Sequence, residues 1–193
     1  MVTETHLTEP AYKLEAAPSP SWYLSPKWLR VFLNGAVVAD TKNPRLLRAG
    51  GPPVYYFPLA DVRQGFLVSS DHTTESEERG SGTFWSVKVG ARMAENAAWS
   101  YEAPPDNASF LKGYVAFEWG KMDAWFEENE EVFVHARDPF KRIDAIKSSR
   151  HVKVMVGGKI VAETTEPVVL LEPGHPIRYY IPKADVRMEL LRE

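Results

Sequence analysis

An internal repeat constrains the fold of this chain more than any other feature of its sequence. Residues 29–63 align with residues 152–187, first at an offset of 123 and, after one inserted residue, at an offset of 124. The identical pairs include turn-forming residues that rarely coincide by chance: Gly35/Gly158, Pro44/Pro167, Gly51/Gly174, Pro53/Pro176 and Pro58/Pro182. Because a repeated sequence implies a repeated structural unit, both segments are expected to fold in the same way.

Each copy predicts a β-hairpin, a further strand and a short helix. The hairpin turns fall at Asn34-Gly35 and Gly157-Gly158, pairs that tolerate the positive φ angles of a type I′ turn. A Tyr-Tyr pair in each copy suits a strand whose two phenol side chains point to opposite faces. Pro58 and Pro182 then end that strand, and their fixed φ suits the first turn of a short helix over Ala-Asp-Val.

The chain between the two copies continues the β pattern. Apolar and polar residues alternate over 84–89, and further strands are predicted at 99–101, 114–119 and 132–135. Helical spacing occurs at Met122, Trp125 and Phe126, which predicts a short helix that ends in a solvated acidic run over Glu127 to Glu131. The polar, Gly-containing segment 71–82 is predicted to be a loop.

The sequence therefore predicts an all-β, β-dominated fold. It predicts a small domain of many short antiparallel strands with one or two short helices, followed by a partial second repeat packed on it. The predicted parts are a flexible N-terminal arm over 1–24, a complete domain over 25–136, a connector over 137–150 and the partial repeat over 151–193. A second copy of about 40 residues is too short to close its own core, so we expect it to pack on the first unit or to complete another chain by exchange.

Composition excludes several classes of function. Hydrophobic residues make up 44% and charged residues 25%, as in ordinary globular proteins, and the N-terminus has no signal-peptide pattern, so a cytoplasmic location is expected. Cys is absent, which excludes disulfides and thiolate catalysis, and the five His are scattered, so neither a metal nor another cofactor is predicted. A net charge of -3 gives no reason to expect a nucleic-acid or membrane partner.

Several segments carry a resemblance to a known family. They are the duplicated Tyr-Tyr-x-Pro-x-Ala-Asp-Val-Arg motif, Phe84-Trp85-Ser86-Val87, and the stretches 95–101, 113–119 and 122–126. Together they closely resemble the bacterial family called domain of unknown function 427, which carries a nucleotidyltransferase-like label. The resemblance implies a compact, mostly β domain in the family's tandem form, here with an incomplete second copy.

One departure from that family concerns its chemistry. Family domains often carry Cys-Pro-Tyr-Lys-Gly before the aromatic-Trp-Ser-Val strand, whereas this chain has Ser-Glu-Glu-Arg-Gly at 76–80. Only Gly80 is retained, and Arg79 is a cationic substitute for the lysine. If that segment carries the family's chemistry, this chain has lost it.

Aromatic residues supply the leading candidate site. Trp85, Trp99, Tyr101 and Trp119 lie on or beside predicted strands and are candidates for the walls of a small-ligand pocket. The cationic candidates near its mouth are Arg79 and Lys88, and His135 is a further candidate ligand-binding residue. The simpler explanation is that the aromatic side chains fill the core. The leading hypothesis is an uncharacterised small-ligand-binding or interaction domain with an aromatic pocket.

Two alternatives stay open. One is an enzyme of the transferase type, as the family label implies, in which Arg79, His135 and the Asp61/Arg63 pair meet at one cleft. The same Asp and Arg, repeated as Asp185/Arg187, are also explained by helix capping and a surface ion pair. The other alternative is a self-associating structural protein that forms a homodimer through the partial second repeat, because an incomplete copy leaves strand edges exposed.

Overall fold

The computed structural model describes residues 21–140 and 142–191, which form mainly antiparallel strands. The strands are β1 (Ser21–Leu24), β2 (Leu29–Leu33), β3 (Ala36–Thr41), β4 (Arg45–Arg48), β5 (Val54–Pro58), β6 (Leu67–Ser76), β7 (Gly80–Val89), β8 (Arg92–Ser100), β9 (Tyr114–Phe117), β10 (Ala124–Glu127), β11 (Glu130–Glu131), β12 (Asp144–Lys147), β13 (Val152–Val156), β14 (Lys159–Thr164), β15 (Val168–Leu171) and β16 (Arg178–Tyr180). The predicted all-β fold is confirmed.

Helical structure in the described residues consists of short 3₁₀ segments. They are Leu59–Asp61, Gln64–Phe66, Asp106–Leu111, Trp119–Lys121, Lys183–Asp185 and Met188–Leu190. No helix in this part of the chain has the length and apolar character needed to cross a membrane.

The chain divides into two units, each of which is described by itself. Within the described residues, the larger unit contains 21–127 and 131–137, and the smaller unit contains 128–130, 138–140 and 142–191. Of the arm predicted over 1–24, residues 1–20 lie outside the described residues, and residues 21–24 form β1.

Two sheets build the larger unit and share one core. The first has seven strands in the order β1-β4-β5-β9-β8-β7-β6, and the second contains β10, β2 and β3 in that order. Apolar side chains from both sheets meet between them, among them Val31 from β2 and Phe57 and Val87 from the seven-stranded sheet, all 0% exposed. A second cluster, which includes Tyr56, Tyr101 and Leu111, fills the opposite face of the seven-stranded sheet.

Tyr55 and Tyr56 show how the two faces are covered. Tyr55 belongs to the core between the sheets, and Tyr56 belongs to the cluster on the opposite face. Both are buried, at 2% and 1% exposure, because each face has its own apolar layer. The predicted alternation of the two phenol side chains is confirmed.

The repeat is visible in the backbone of both copies. The hairpin of β2 and β3 turns at Asn34-Gly35 with φ of 48° and 73°, and that of β13 and β14 turns at Gly157-Gly158 with φ of 55° and 77°. These paired positive values are those of the predicted type I′ turn. A 3₁₀ segment follows Pro58 and Pro182, one residue earlier than the predicted Ala-Asp-Val helix.

The repeat also extends further toward the N-terminus than the sequence comparison shows. Strand β1 pairs antiparallel with β4, and β12 pairs antiparallel with β15. Beside these pairs, the Ser25 N–H donates to the Pro44 carbonyl at 2.8 Å, and the Ser148 N–H donates to the Pro167 carbonyl at 2.9 Å. Strand β12 lies inside segment 137–150, which the sequence predicts as a connector.

Two local predictions are wrong because strand pairing overrides the local pattern. Residues 122–126 do not form a helix; β10 occupies 124–127 and pairs with β2, placing Trp125 opposite Val31. Residues 71–82 do not form a loop; they belong to a long hairpin of β6 and β7 in which Thr73 lies opposite Thr83. The hairpin is polar because much of β6 is exposed to solvent.

The strand predicted at 132–135 is also absent from the structure. Val134 has a φ of 74°, which interrupts an extended backbone. The predicted solvated acidic run is wrong at its start, since Glu127 and Glu128 are 1% and 0% exposed.

The smaller unit has two small sheets, with the orders β12-β15-β16 and β13-β14. Its apolar cluster consists of Ile146, Val169 and Leu171, with Ile177 and Tyr179 packed against it. The packing of this unit on the larger one stays a prediction.

Candidate functional site

A pocket opens in the larger unit where β5 and β8 end and β9 begins. Its volume is about 260 Å³. The residues that line it are Leu59, Gln64, Leu67, Trp85, Ser100, Tyr101, Glu102, Gly113, Tyr114 and Val115. Three aromatic residues therefore line one small and mainly apolar cavity.

Two of these aromatic side chains are fixed by contacts of their own. The Trp85 indole N–H donates to Ser100 Oγ at 3.2 Å, which ties the ring to the end of β8. The Tyr114 hydroxyl accepts a hydrogen bond from Arg45 Nε at 3.4 Å. The Tyr114 ring also packs edge to face on Trp22, with centroids 5.2 Å apart. The walls are thus positioned before any ligand arrives.

Glu102 is the charged residue among those that line the pocket. It follows the end of β8 and is exposed, so its carboxylate lies in contact with solvent. A carboxylate combined with aromatic faces attracts cations, because both present negative potential. The charge of the pocket therefore favours a neutral or cationic molecule.

The predicted aromatic residues do not all meet at this pocket. Trp85 and Tyr101 both line it, although Tyr101 also belongs with Tyr56 to the cluster on the opposite face of the sheet. Trp99 does not line the pocket; it packs against that cluster, and its indole N–H donates to the Tyr56 hydroxyl at 3.4 Å. Trp99 lies opposite Phe84 in the β7–β8 pairing, and Trp85, the next residue along β7, points the other way. Trp119 stacks on Trp125, with ring centroids 4.1 Å apart and planes 5° apart.

The predicted cationic residues also lie elsewhere. Arg79 occupies the turn between β6 and β7, where its guanidinium is 3.9 Å from the Glu78 carboxylate. Lys88 is exposed on β7, opposite Met93. Neither of them lines the pocket, so the predicted cationic mouth is not part of this cavity.

On the sheet face that carries Trp99, the phenol of Tyr56 has a strongly raised pKa. Burial raises the pKa of Tyr56 to about 12, and the nearby Tyr101 adds to the increase. The hydrogen bond from Trp99 and the positive charge of Arg79 lower this pKa, but they offset only part of the effect of burial. Tyr56 is therefore neutral at physiological pH and serves as a packed hydrogen-bonding residue.

The candidate catalytic residues do not meet at one cavity. Asp61 and Arg63 line a pocket of about 330 Å³ together with Asp40, and neither Arg79 nor His135 is among its lining residues. Asp61 accepts a hydrogen bond from the Thr41 hydroxyl at 2.5 Å, and the N-cap of its 3₁₀ segment is Pro58, which makes no side-chain cap. The Arg63 guanidinium lies 5.9 Å from the centre of the Phe66 ring.

His135 is exposed, and its ring Nδ1 donates to the carbonyl of Ala136 at 2.8 Å. Among residues 21–140 and 142–191, no three His, Asp or Glu side chains lie close enough together to hold a metal ion.

Sequence reasoning missed Glu102 as a pocket residue, and it did not select Tyr114, one of the aromatic residues on predicted strands that could gather into a pocket, among the final candidates. Tyr114 begins β9 directly after Gly113, whose φ of 83° marks a sharp entry into the strand. A Gly immediately before a predicted strand was a usable signal for Tyr114, since loop-to-strand junctions often border pockets. Nothing in the local sequence distinguishes Glu102 from other exposed carboxylates.

Comparison with known proteins identifies a family for this chain. The model of the family described as Domain of unknown function (DUF427) matches residues 21–128 and 144–193, which together make up most of the chain. The two matched segments begin at β1 and β12, the first strands of the two structural copies. No curated protein matches the chain significantly.

Proposed function

The chain belongs to the family described as Domain of unknown function (DUF427), and from this premise we propose that its larger unit binds a compact organic cation. The observation that supports the proposal is the pocket in which Trp85, Tyr101 and Tyr114 are combined with Glu102 as the charged lining residue. Aromatic walls and a single carboxylate are the groups that recognise an ammonium attached to an apolar body.

The size of the pocket limits the ligand. Small-molecule pockets usually measure about 300 to 1,000 Å³, and this one, at about 260 Å³, lies just below that range. The ligand we propose therefore has one ring or a short alkyl body, with the ammonium directed toward Glu102. A nucleotide, with several rings and phosphates, exceeds this volume and carries the wrong charge.

The ring of the ligand is expected to pack against walls that do not need to move. Trp85 is held by Ser100, and Tyr114 is held by Arg45 and Trp22. Because preorganised side chains lose little conformational freedom on binding, most of the contact energy contributes to affinity. A cation against an aromatic face adds about 0.5 to 2 kcal/mol, depending on how far water is excluded.

Two probes of similar size and opposite charge test this proposal. Phenethylamine and phenylacetate share a phenyl ring, but the first carries an ammonium and the second a carboxylate. We expect phenethylamine to raise the melting temperature and to change tryptophan fluorescence at concentrations where phenylacetate does neither. Equal binding of both, or a preference for phenylacetate, contradicts the proposed role of Glu102.

Three variants locate the binding. Glu102→Gln keeps the size of the side chain, removes its charge and should abolish the preference for phenethylamine. Leu59→Trp adds volume at a lining residue that is already 38% exposed, and it should block both probes. Val68→Trp is the matched control, because Val68 is 42% exposed and lies outside the pocket lining. If Leu59→Trp and Val68→Trp bind the probes alike, the ligand occupies another site.

A further inference from the structure

Strand β13 is exposed where its counterpart in the first copy is buried. Val31 and Leu33 of β2 are both 0% exposed, whereas the corresponding Val154 and Val156 are 37% and 56% exposed. In the first copy these side chains face an apolar layer from the seven-stranded sheet. The apolar character of the strand is thus retained in the second copy, but much of the burial is not.

Two residues near the end of the second copy show a similar loss of burial. Leu190 and Leu191 correspond to Phe66 and Leu67, which pack against the core in the first copy. In the second copy they are 42% and 49% exposed. The second copy therefore exposes, at β13 and at these leucines, apolar side chains whose counterparts pack in the core of the first copy.

One edge of β13 also has no partner strand among the described residues. In the first copy β2 lies between β3 and β10, but the sheet of β13 consists of β13 and β14 alone. The Asp123 N–H donates to the Phe32 carbonyl at 2.9 Å, so the backbone groups of Phe32 point toward β10. Met155 is the counterpart of Phe32, and its N–H and C=O therefore point to the open edge.

We propose that β13 pairs antiparallel with β13 of a second copy of this chain, with Val154 facing Val154 across a two-fold axis. In this register Val152 faces Val156 and Lys153 faces Met155, so no like charges lie opposite each other. The three valines of each strand then form one apolar face that continues across the axis. This interaction is independent of the ligand pocket in the larger unit.

Lys153 does not protect the edge as a lysine on an edge strand usually does. Its Nζ lies 3.2 Å from Glu163 Oε1 on the adjacent strand of its own hairpin. The charge that would repel a second strand is therefore paired within the hairpin. A register centred on residue 153 would place two lysines opposite each other, which disfavours it relative to the register centred on Val154.

The absence of Cys from the sequence makes a direct test possible. Residues whose backbone groups point away from the partner strand form non-hydrogen-bonded pairs with Cα atoms about 4.5 Å apart, within disulfide range. Val154→Cys should therefore give a disulfide-linked dimer on mild oxidation. Val152→Cys and Val156→Cys are matched controls on the same strand, because each lies about 13 Å from its own counterpart.

Each control alone should stay monomeric on oxidation, whereas a mixture of the two should give a cross-linked pair, since residue 152 faces residue 156 across the axis. Equal cross-linking of all three single variants would indicate random collision and overturn the proposed register. The absence of cross-linking in Val154→Cys would also overturn it, as would pairing of β13 with a different strand or a different protein.

Sedimentation analysis supplies an independent readout. The unmodified chain should shift with concentration from a mass of 21.8 kDa toward twice that value. Val154→Lys places two positive charges on the axis and should abolish this shift. Val68→Lys, at a similarly exposed valine of the larger unit, should leave it unchanged. A chain that stays monomeric at all concentrations, or a dimer that survives Val154→Lys, contradicts the proposal.

Discussion

Lys27 Nζ lies 2.6 Å from Glu127 Oε2, and both side chains are 1% exposed. The same carboxylate accepts hydrogen bonds from the Tyr55 hydroxyl at 2.8 Å and from the Arg137 N–H at 3.2 Å. Both charges are thus compensated, which a buried ion pair requires if it is not to destabilise the fold. The pair joins the segment before β2 to the end of β10 within the larger unit.

Removal of one partner of this pair should destabilise the larger unit strongly. Lys27→Met leaves the Glu127 carboxylate buried without its main counter-charge, a change that typically costs about 3 to 5 kcal/mol. Urea unfolding followed by tryptophan fluorescence measures the effect, because all six Trp lie in the larger unit.

The double variant Lys27→Met/Glu127→Gln is the control for this change. Gln retains an acceptor for Tyr55 and Arg137 but carries no charge, so the double variant should be more stable than Lys27→Met alone. If the two have the same urea midpoint, the uncompensated charge is not the cause of the loss.

The residue after Glu127 is also a buried glutamate that pairs with a cation, in this case in the second copy. Glu128, which is 0% exposed, accepts hydrogen bonds from Arg150 at 2.8 Å and from the Ser148 hydroxyl at 2.6 Å. Arg150 stands 123 positions after Lys27, at the offset of the repeat. Two adjacent glutamates therefore pair with equivalent cations, one in each structural copy.

Arg150→Met should accordingly destabilise the smaller unit by at least about 2 kcal/mol, since it leaves Glu128 buried with less compensation. Arg178→Met is the matched control, because Arg178 and Glu172 form an ion pair at 2.9 Å with 46% and 30% exposure. An exposed pair of this kind contributes under about 1 kcal/mol. Thermal unfolding followed by far-UV circular dichroism compares the two, and equal losses would contradict the distinction.

Local signals predicted those parts of the fold that depend on local conformation. Asn34-Gly35 and Gly157-Gly158 specify their turns by the φ angles that these residues tolerate, and the structure has those angles. The sequence pattern wrongly predicts a helix at Trp125 because the environment of this residue is formed by a distant part of the chain. As a strand residue it lies opposite Val31 on a chain segment almost a hundred positions away, and no pattern within 122–126 encodes that partner.

The candidate site could be predicted only in part, because it also depends on non-local pairing. Trp85 lines the pocket, but Trp99 points to the other face because Phe84, and not Trp85, lies opposite it. Strand register decides this assignment, and a shift of one residue would reverse it. The sequence shows which segments are strands more readily than it shows how they are paired.

The turn of the first hairpin offers a prediction about backbone strain. Gly35 has a φ of 73°, and a Cβ added there would meet no atom within 4 Å. Gly35→Ala should therefore destabilise the larger unit by about 1 to 2 kcal/mol through conformation alone. Gly51→Ala is the control, because the site is equally open and its φ is not positive, so it should be neutral or slightly stabilising. Urea unfolding compares the two variants, and equal effects would exclude strain as the cause.

Tyr56 predicts how the stability of the larger unit changes at high pH. Its pKa is about 12 in the folded chain because burial disfavours the phenolate, whereas an unfolded chain has the ordinary value of 10.0. Between these values the unfolded state loses the proton and the folded state keeps it. The contribution of Tyr56 to the stability of the folded state is therefore fully present below pH 10 and is lost as pH rises toward 12, at up to about 1.4 kcal/mol per pH unit.

The variant Tyr56→Phe has no phenolic proton at this position, so its stability should fall less steeply over this range. Urea midpoints measured by tryptophan fluorescence at several pH values test this, with Tyr180→Phe, at a tyrosine that is 58% exposed, as the control that keeps the steep slope. Parallel slopes for the unmodified chain and Tyr56→Phe would show that burial of Tyr56 does not govern the alkaline response.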